Sequence, residues 1–192
     1  MTRIAIVGVA GRMGRTLVNA VEQQADASLA GGIVEPGSSL AGVDIGELAG
    51  VGKRGVAAVD SLDAIVDDFD VLIDFTRPDA TLNHLNVARE LGTAVVIGTT
   101  GFTAEQKASF KTYGESIGVV WAPNMSVGVN ATFKLIEVAA KILAQGYDVE
   151  IIEAHHKHKI DAPSGTALKM GEIVAEAQGT KLADRAVYAR EG

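Results

Sequence analysis

The segment His155–Lys159 contains three histidines and two lysines in a row, the densest group of side chains in this sequence that could take part in chemistry. It lies within the stretch EAHHKHKIDAPSGTA, Glu153–Ala167. A metal site is the least favoured interpretation. Neighbouring histidines on a strand point to opposite faces, no cysteine is available, and the spacing matches no common zinc pattern. We therefore predict no metal at this segment.

Two other interpretations remain, a solvent-exposed strand end and an active site. In the second, PSGTA begins a helix, and Ser164, Gly165 and Thr166 expose backbone N–H groups at its positive end. Lys159 beside such a terminus would bind a carboxylate or phosphate. A nearby histidine can transfer a proton near neutral pH. The segment then binds an anionic substrate and protonates it.

A second group is the glycine loop GVAGRMG, with Gly8, Gly11 and Gly14 after the first predicted strand. Its spacing is G-x-x-G-x-x-G, one residue longer than the usual dinucleotide fingerprint. Gly8 would turn the chain, Gly11 would let the backbone approach a pyrophosphate, and Gly14 would allow close packing of helix on strand. The phosphates would lie at the N-terminus of the following helix. A tight turn without a ligand is the alternative.

Glu35 follows the second predicted strand, 21 positions after Gly14, where an acidic residue binds the adenosine ribose. It favours NADH, because a carboxylate repels the 2′-phosphate of NADPH, although Arg12 could offset that repulsion. The segments Phe75–Pro78 and Gly98–Phe102 also follow strands. They suit contacts to ribose or nicotinamide, or equally helix N-caps.

The elements that must position these groups alternate as strand and helix. Apolar runs predict strands over Arg3–Val9, Ser28–Val34, Asp70–Phe75, Thr93–Thr99 and Val119–Ala122. Because these runs are continuously apolar, both faces of the sheet should be buried by helices. Residues 1–125 are therefore predicted to form a Rossmann-like, doubly wound parallel sheet that binds a dinucleotide.

Several residues mark helix ends in this half. Ser61 is a predicted N-cap, Pro78 suits a first helical turn, and Gly92 suits the position after a helix. Thr103 and Gln106 form a predicted capping box. The Gly- and Ser-rich stretch at residues 37–52 is predicted to be a loop.

The pattern changes at residue 126. A long helix is predicted over Ser126–Leu143, a strand over Asp148–His156, and a helix over Thr166–Gln178. One strand and two helices do not complete a domain. Residues 126–192 are therefore predicted to be the beginning of an α+β domain for substrate binding and oligomerisation.

Composition narrows the classes of protein further. The formal net charge is −7, and the sequence pI is near 5.1, which argues against a nucleic-acid binder. No apolar stretch approaches the roughly 18 residues that span a bilayer. The absence of cysteine fits a reducing compartment. We expect a soluble, cytoplasmic protein.

Five segments together resemble one family: GVAGRMGR, DFDVLIDFTRP, VIGTTGF, NMSVGVN and EAHHKHKIDAPSGTAL. In order and spacing they are similar to the 4-hydroxy-tetrahydrodipicolinate reductase (dihydrodipicolinate reductase) family. The resemblance implies NADH- or NADPH-dependent reduction of a cyclic dicarboxylate, 4-hydroxy-tetrahydrodipicolinate, to tetrahydrodipicolinate. This reaction belongs to the diaminopimelate route to lysine.

The resemblance also implies roles for individual residues. His155 matches the family's proton donor, and Lys159 matches its second catalytic residue, which also binds the substrate carboxylate. The further substrate contacts would be His156, Ser164, Gly165 and Thr166. The cofactor would contact Gly8, Gly11, Arg12, Met13, Gly14, Glu35, Arg77, Gly98, Thr99, Thr100, Ala122, Pro123, Asn124 and Met125.

Two positions depart from the family's pattern. Pro36 follows Glu35, where many members place an arginine that receives the 2′-phosphate, so the resemblance leans toward NADH. The sequence ends at YAREG, where the family continues into further strands and a homotetramer. We therefore expect a truncated member. A nucleotide-binding fragment without turnover and another imino- or amino-acid dehydrogenase are the alternatives.

Overall fold

The computed structural model describes residues 1–66, 68–157, 159 and 162–189. The chain divides into two units, Met1–Ala122 and Pro123–Gly192. The strands of the first unit are β1 (Thr2–Val7), β2 (Ala27–Ile33), β3 (Ala58–Val59), β4 (Val71–Asp74), β5 (Ala94–Ile97) and β6 (Val119–Trp121). Its helices are α1 (Arg12–Glu22), α2 (Ile45–Ala49), α3 (Pro78–Leu91) and α4 (Ala104–Gly114), with a 3₁₀ turn at Leu62–Ile65.

All six strands form one parallel sheet in the order β3-β2-β1-β4-β5-β6. This is the strand order of a Rossmann fold. The strands all run parallel, and the order in which the chain adds them to the sheet changes direction between β1 and β4. Alternate residues of β1 enter two different cores: Ala5 packs with Leu85 of α3, and Ile6 packs with Val18 of α1. Helices thus cover both faces, and the predicted fold class is confirmed.

The predicted helix ends of this unit are confirmed where local chemistry sets them. Pro78 is the first residue of α3, and Gly92 ends it in the left-handed conformation with φ of 69°. The Thr103 hydroxyl accepts from the Gln106 N–H at 3.1 Å, and the Gln106 side chain accepts from the Thr103 N–H at 2.9 Å. Ser61 caps the 3₁₀ turn by accepting from the Asp63 N–H.

The loop predicted at residues 37–52 is wrong in part, because it contains α2. The buried carboxylate of Asp44 caps this helix through the Gly46 and Glu47 N–H groups. It also accepts from the backbone of Arg54 and Gly55. The local sequence Asp-x-x-Glu is a helix-capping pattern, but the surrounding glycines favoured the prediction of a loop.

The second unit contains α5 (Val127–Ile142), α6 (Gly165–Ala177) and α7 (Leu182–Arg185). Ser126 caps α5, and Ser164 caps α6. The strand expected over Asp148–His156 is not formed. A strand is stable only when a neighbour takes up its backbone hydrogen bonds, and the described residues of this unit supply no other strand.

Candidate active site

The loop between β1 and α1 has the shape that an anion site requires. Gly8 ends β1 with φ of 69°, a conformation that favours glycine. A side-chain carbon at Gly14 would lie 2.2 Å from the Gly8 carbonyl oxygen. The predicted close approach of α1 to this turn is therefore confirmed. The Arg15 side chain also fixes the loop, since its Nε donates to the Ala10 carbonyl at 3.0 Å.

The start of α1 is open to a negatively charged ligand. Gly11 occupies the N-cap position, and among the described residues no side chain caps it. The first turn carries Arg12 and no acidic residue. Free N–H groups, the helix dipole and a guanidinium together attract phosphate. Both Arg12 and Met13 are exposed beside this turn.

Glu35 and Arg77, two predicted cofactor residues that are 42 positions apart, form an ion pair of 3.2 Å. Glu35 follows β2, and Arg77 follows β4. Their side chains are 81% and 82% exposed, so water screens the pair strongly and the contact is weak. Either side chain can exchange its partner for a ligand at small cost.

In the segment after β5, some of the predicted cofactor residues are packed in the interior and one is exposed. A side-chain carbon at Gly98 would lie 2.0 Å from Phe75 Cε1, so this position packs against an aromatic ring. The Thr99 side chain is 2% exposed, and its hydroxyl accepts from the Thr76 N–H at 2.9 Å. Thr100 is exposed. A ligand can therefore reach the Thr100 side chain, whereas Thr99 serves to hold the loop.

Sequence reasoning missed Trp121, which supports this segment from β6. Its indole Nε1 donates to the Thr99 carbonyl at 3.2 Å. Its ring packs against Phe102 and Phe110, with centroids 6.2 and 5.4 Å away. Ala122 follows β6 and donates its N–H to the Ile97 carbonyl at 3.4 Å. An aromatic residue at the end of an apolar run was the available signal.

These residues fit a dinucleotide. The glycine loop, Glu35, Arg77, Gly98–Thr100 and Ala122 all follow the carboxyl ends of parallel strands, so they share one edge of the sheet. Ligands of open α/β sheets bind at that edge, where the strand order reverses. The predicted contacts themselves remain a prediction.

In the second unit, Asn124 is fixed just before α5. Its Oδ1 accepts from the Ser126 N–H at 2.9 Å, and its carbonyl accepts from Asn130 Nδ2 at 3.0 Å. Its neighbours Pro123 and Met125 complete the predicted cofactor segment. This arrangement gives the segment a defined backbone path before the helix begins.

Glu153 links two predicted active-site groups that the sequence placed 9 positions apart. One carboxylate oxygen accepts from the Ser164 N–H at 2.8 Å, and the other lies 3.4 Å from His155 Nδ1. Hydrogen bonds from Ser164 hold the pKa of Glu153 below its usual range. This places a carboxylate beside Nδ1, the arrangement that commonly orients a catalytic imidazole through one ring nitrogen and leaves the other facing a ligand. The sequence signal for this contact was that Glu153 lies two residues before His155, on the same face of an extended segment.

Three of the remaining predicted substrate residues lie at the start of α6, and two lie on the preceding turn. Ser164 is buried, and its hydroxyl accepts from the Ala167 N–H at 3.1 Å. Gly165 and Thr166 open the helix, where N–H groups have no partner within the helix. The Lys159 N–H donates to the His156 carbonyl at 3.1 Å, which forms a turn. His158 and Asp161 lie outside the described residues.

The described part of the chain holds no cluster of three histidine, cysteine, aspartate or glutamate side chains arranged to bind a metal. None of its helices combines the length and the apolar character that crossing a bilayer requires.

The fold and the open helix N-terminus define a dinucleotide-binding α/β protein. Two family models match it: "Dihydrodipicolinate reductase, N-terminus" over residues 2–125, and "Dihydrodipicolinate reductase, C-terminus" over residues 128–191. The chain belongs to the dihydrodipicolinate reductase family, which confirms the resemblance drawn from its motifs.

Relatives of high identity carry the name 4-hydroxy-tetrahydrodipicolinate reductase. The chain is 76% identical to a 4-hydroxy-tetrahydrodipicolinate reductase of Ralstonia pickettii (strain 12J), over 99% of this chain and 72% of that protein. It is 63% identical to the protein of that name from Chromohalobacter salexigens, over 100% of this chain and 72% of the relative. A dipicolinate-bound dihydrodipicolinate reductase from Paenisporosarcina sp. TG-14 superposes with a TM-score of 0.74 at 32% identity, over 93% of this chain and 67% of that chain.

Proposed function

We propose that this chain reduces 4-hydroxy-tetrahydrodipicolinate to tetrahydrodipicolinate with NADH or NADPH, a step in the diaminopimelate route to lysine. The observation that carries this assignment is the 76% identity to a reductase of that name over nearly the whole chain. In the balanced reaction the substrate loses its hydroxyl as water and takes up one hydride and one proton. NAD⁺ or NADP⁺ is the other product.

The first unit supplies the cofactor site. The N-terminus of α1, with Gly11 and Arg12, would hold the pyrophosphate, and Glu35 would bind the adenosine ribose. When bound, NADH or NADPH supplies the hydride from its nicotinamide C4. Gly98–Thr100 and Ala122 would orient the nicotinamide end, and Pro123–Met125, the first residues of the second unit, are further predicted contacts.

The second unit supplies charge and the proton. Lys159 and the N–H groups of Gly165 and Thr166 would bind the substrate carboxylates, because cations and helix N-termini both stabilise anions. His156 would add a further substrate contact. His155 would donate the proton from Nε2 while Glu153 holds Nδ1, and Lys159 would stabilise the negative charge that forms as the hydride is added.

We also propose that both cofactors are accepted, with NADH preferred. Glu35 favours the free ribose of NADH, whereas Arg12 and Arg77 can face the 2′-phosphate of NADPH. The exposed ion pair between Glu35 and Arg77 supports this proposal, because it can open without a large loss of stability.

Assembly and location complete the proposal. We expect a cytoplasmic homotetramer that binds neither nucleic acid nor a membrane, as the resemblance, the acidic charge and the absence of cysteine imply. Exposed apolar side chains of the second unit support assembly, among them Val127 at 85% and Ile142 at 76% exposure. Analytical ultracentrifugation of the chain would test the tetramer.

The test of the activity is the oxidation of NADH and NADPH in the presence of freshly generated substrate. We expect turnover that dipicolinate inhibits competitively, since a relative of known structure binds that molecule. Binding of NADH without turnover of this substrate would overturn the proposal. A screen of other imino acids would then show whether a different dehydrogenase activity is present.

A further inference from the structure

Asp74 carries a buried charge to which the proposed reaction gives no task. It is the last residue of β4, and its side chain has 0% exposure. One oxygen, Oδ1, accepts from the Thr76 N–H at 3.0 Å and from the Thr76 hydroxyl at 2.6 Å. The other, Oδ2, lies 2.7 Å from Nδ1 of His84 on α3.

The same carboxylate reaches the next loop of the sheet. The Thr99 hydroxyl donates to Asp74 Oδ1 at 3.3 Å, and it accepts from the Thr76 N–H at 2.9 Å and from the Thr81 hydroxyl at 2.9 Å. The Asp74 carbonyl also accepts from the Gly98 N–H at 2.8 Å. The loops after β4 and β5 are therefore tied to one side chain.

A third loop is connected by packing. A side-chain carbon at Gly8 would lie 3.1 Å from Thr76 Cγ2, so the Thr76 methyl group lies against the glycine loop. Thr76 is held at both its N–H and its hydroxyl, and its position limits the path of the chain at Gly8. The loops after β1, β4 and β5 contain most of the proposed cofactor contacts of the first unit.

We propose that Asp74 and His84 form a positioning pair that holds these three loops in the arrangement that binds the dinucleotide. The inference rests on the proposed cofactor site and adds residues that do not themselves touch the ligand. It gives the buried pair a role in cofactor affinity beyond its contribution to folding.

Physical chemistry favours this role over simple packing. Burying a carboxylate is costly unless donors surround it, and an apolar residue of similar volume would often stabilise a core at least as well. Burial alone raises the pKa of Asp74, but hydrogen bonds from His84 and Thr76 and the nearby imidazole outweigh it, so the pKa lies below its usual range. The charged carboxylate accepts several strong, directional hydrogen bonds, which fix the loops that donate them.

The experiment measures NADH affinity through Trp121, the one tryptophan of the sequence. Its indole donates to the Thr99 carbonyl, so it lies beside the loops in question. Energy transfer from Trp121 to NADH reports binding without any substrate. We expect Asp74→Asn to weaken NADH binding about tenfold, and in the turnover assay to raise KM for NADH more than it lowers kcat.

Variants of His84 test whether another hydrogen-bond donor at this position can restore NADH affinity. His84→Ala removes the donor to Oδ2 and should weaken NADH binding severalfold. His84→Asn places an amide nitrogen near the position of Nδ1 and should restore most of the affinity. If both variants bind NADH as the wild type does, the positioning role is overturned.

Asp70→Asn is the matched control. Asp70 precedes the same strand and pairs with Arg3 at 2.8 Å, at the amino end of β4. It lies four residues from Asp74, or about 13 Å along the strand. The control should lower stability while leaving NADH affinity unchanged. An equal loss of affinity in Asp70→Asn and Asp74→Asn would show a general structural effect and overturn the inference.

A second variant covers the case in which Asp74→Asn does not fold. Thr76→Val keeps the methyl group beside Gly8 and removes the hydroxyl donor, so it should fold and bind NADH severalfold more weakly. Unchanged affinity in Thr76→Val would count against the proposal. Failure of substrate turnover in a wild-type protein that binds NADH would overturn the proposed reaction and leave the positioning role standing.

Discussion

In the first unit, buried side chains hold the loops of the proposed cofactor site, whereas in the second unit the proposed catalytic residues lie on a segment whose side chains are largely exposed. Thr99 and Asp74, at the edge of the sheet where the cofactor is proposed to bind, are at most 2% exposed. His155 retains 40% exposure of its side chain, with Glu153 as a neighbour at 3.4 Å. The proposed dinucleotide site is thus organised before a ligand arrives, whereas the proposed substrate segment depends on a few polar contacts.

The difference predicts that substitutions in the two units fail in different ways. Changes at Gly14 of the glycine loop should reduce stability and cofactor binding together, because this position is packed against the Gly8 carbonyl. Changes on the segment Glu153–Lys159 should reduce activity while stability stays nearly constant.

Lys159→Ala should lower kcat by at least about 100-fold, because it removes the cation proposed to face the substrate carboxylate and the charge formed during reduction. Its melting temperature should match that of the wild type. Steady-state kinetics and thermal unfolding check both points. Lys157→Ala is the matched control on the same exposed segment and should leave kcat unchanged. Equal losses in the two variants would remove the assigned role.

Gly14→Ala should destabilise the first unit by about 3 kcal/mol, since the added carbon meets backbone atoms that cannot move aside. The nearest of them, the Gly8 carbonyl oxygen, would lie 2.2 Å away. Urea unfolding followed by Trp121 emission measures the loss, and NADH binding should weaken with it. Gly114→Ala, at the end of α4 with open space around it, is the control and should not destabilise. A stable Gly14→Ala variant would contradict the packing argument.

Glu153→Gln should lower kcat about tenfold with little change in melting temperature, because glutamine keeps the shape but removes the charge that orients His155. Steady-state kinetics and thermal unfolding, measured on the same variant, separate a loss of catalysis from a loss of stability. Glu172→Gln, an exposed change on α6 beside Lys169, serves as the control. A large loss of stability without loss of kcat would mean that Glu153 only fixes the start of α6.

Glu35→Gln should shift the ratio of kcat/KM for NADPH over NADH upward about fivefold, because the repulsion of the 2′-phosphate is removed and Arg77 is released. The ratio is obtained from initial rates with each cofactor. Asp26→Asn, an exposed change before β2 at the opposite end of the same strand, should leave the ratio constant. A downward shift would show that Glu35 does not face the ribose.

Glu137→Gln should give the smallest effect, a slight fall in melting temperature at neutral pH. Hydrogen bonds from Lys134 and Lys141 lower the pKa of Glu137 to about 2 from 4.5. Because the pKa of Glu137 is lower in the folded protein than in the unfolded chain, its charged form stabilises the fold above pH 4.5. This contribution is lost as Glu137 takes up a proton, so the difference in melting temperature between variant and wild type should vanish between pH 4.5 and about 2. Thermal unfolding at several pH values checks this. A difference that persisted below that range would exclude the ion pairs as its cause.

Sequence reasoning succeeded where the structure depends on nearby residues. Pro78 and Gly92 fixed the ends of α3, because proline restricts φ and glycine accepts the left-handed conformation. It failed at Asp148–His156, where an apolar pattern was present but no described strand lies beside it to complete a ladder. The same reasoning missed Asp74, whose partners His84 and Thr99 lie 10 and 25 positions away.

The sequence by itself determined the class of fold, the glycine loop, the helix caps and the family, because each rests on local patterns of residue type and spacing. Only the tertiary structure decided which side chains meet. It joined Glu35 to Arg77, placed Glu153 against His155 and Ser164, and gathered three loops around Asp74. Parallel strands bring their carboxyl ends to one edge whatever their separation in the chain, and for that reason the contacts of Glu35 and Asp74 are visible only in the folded molecule.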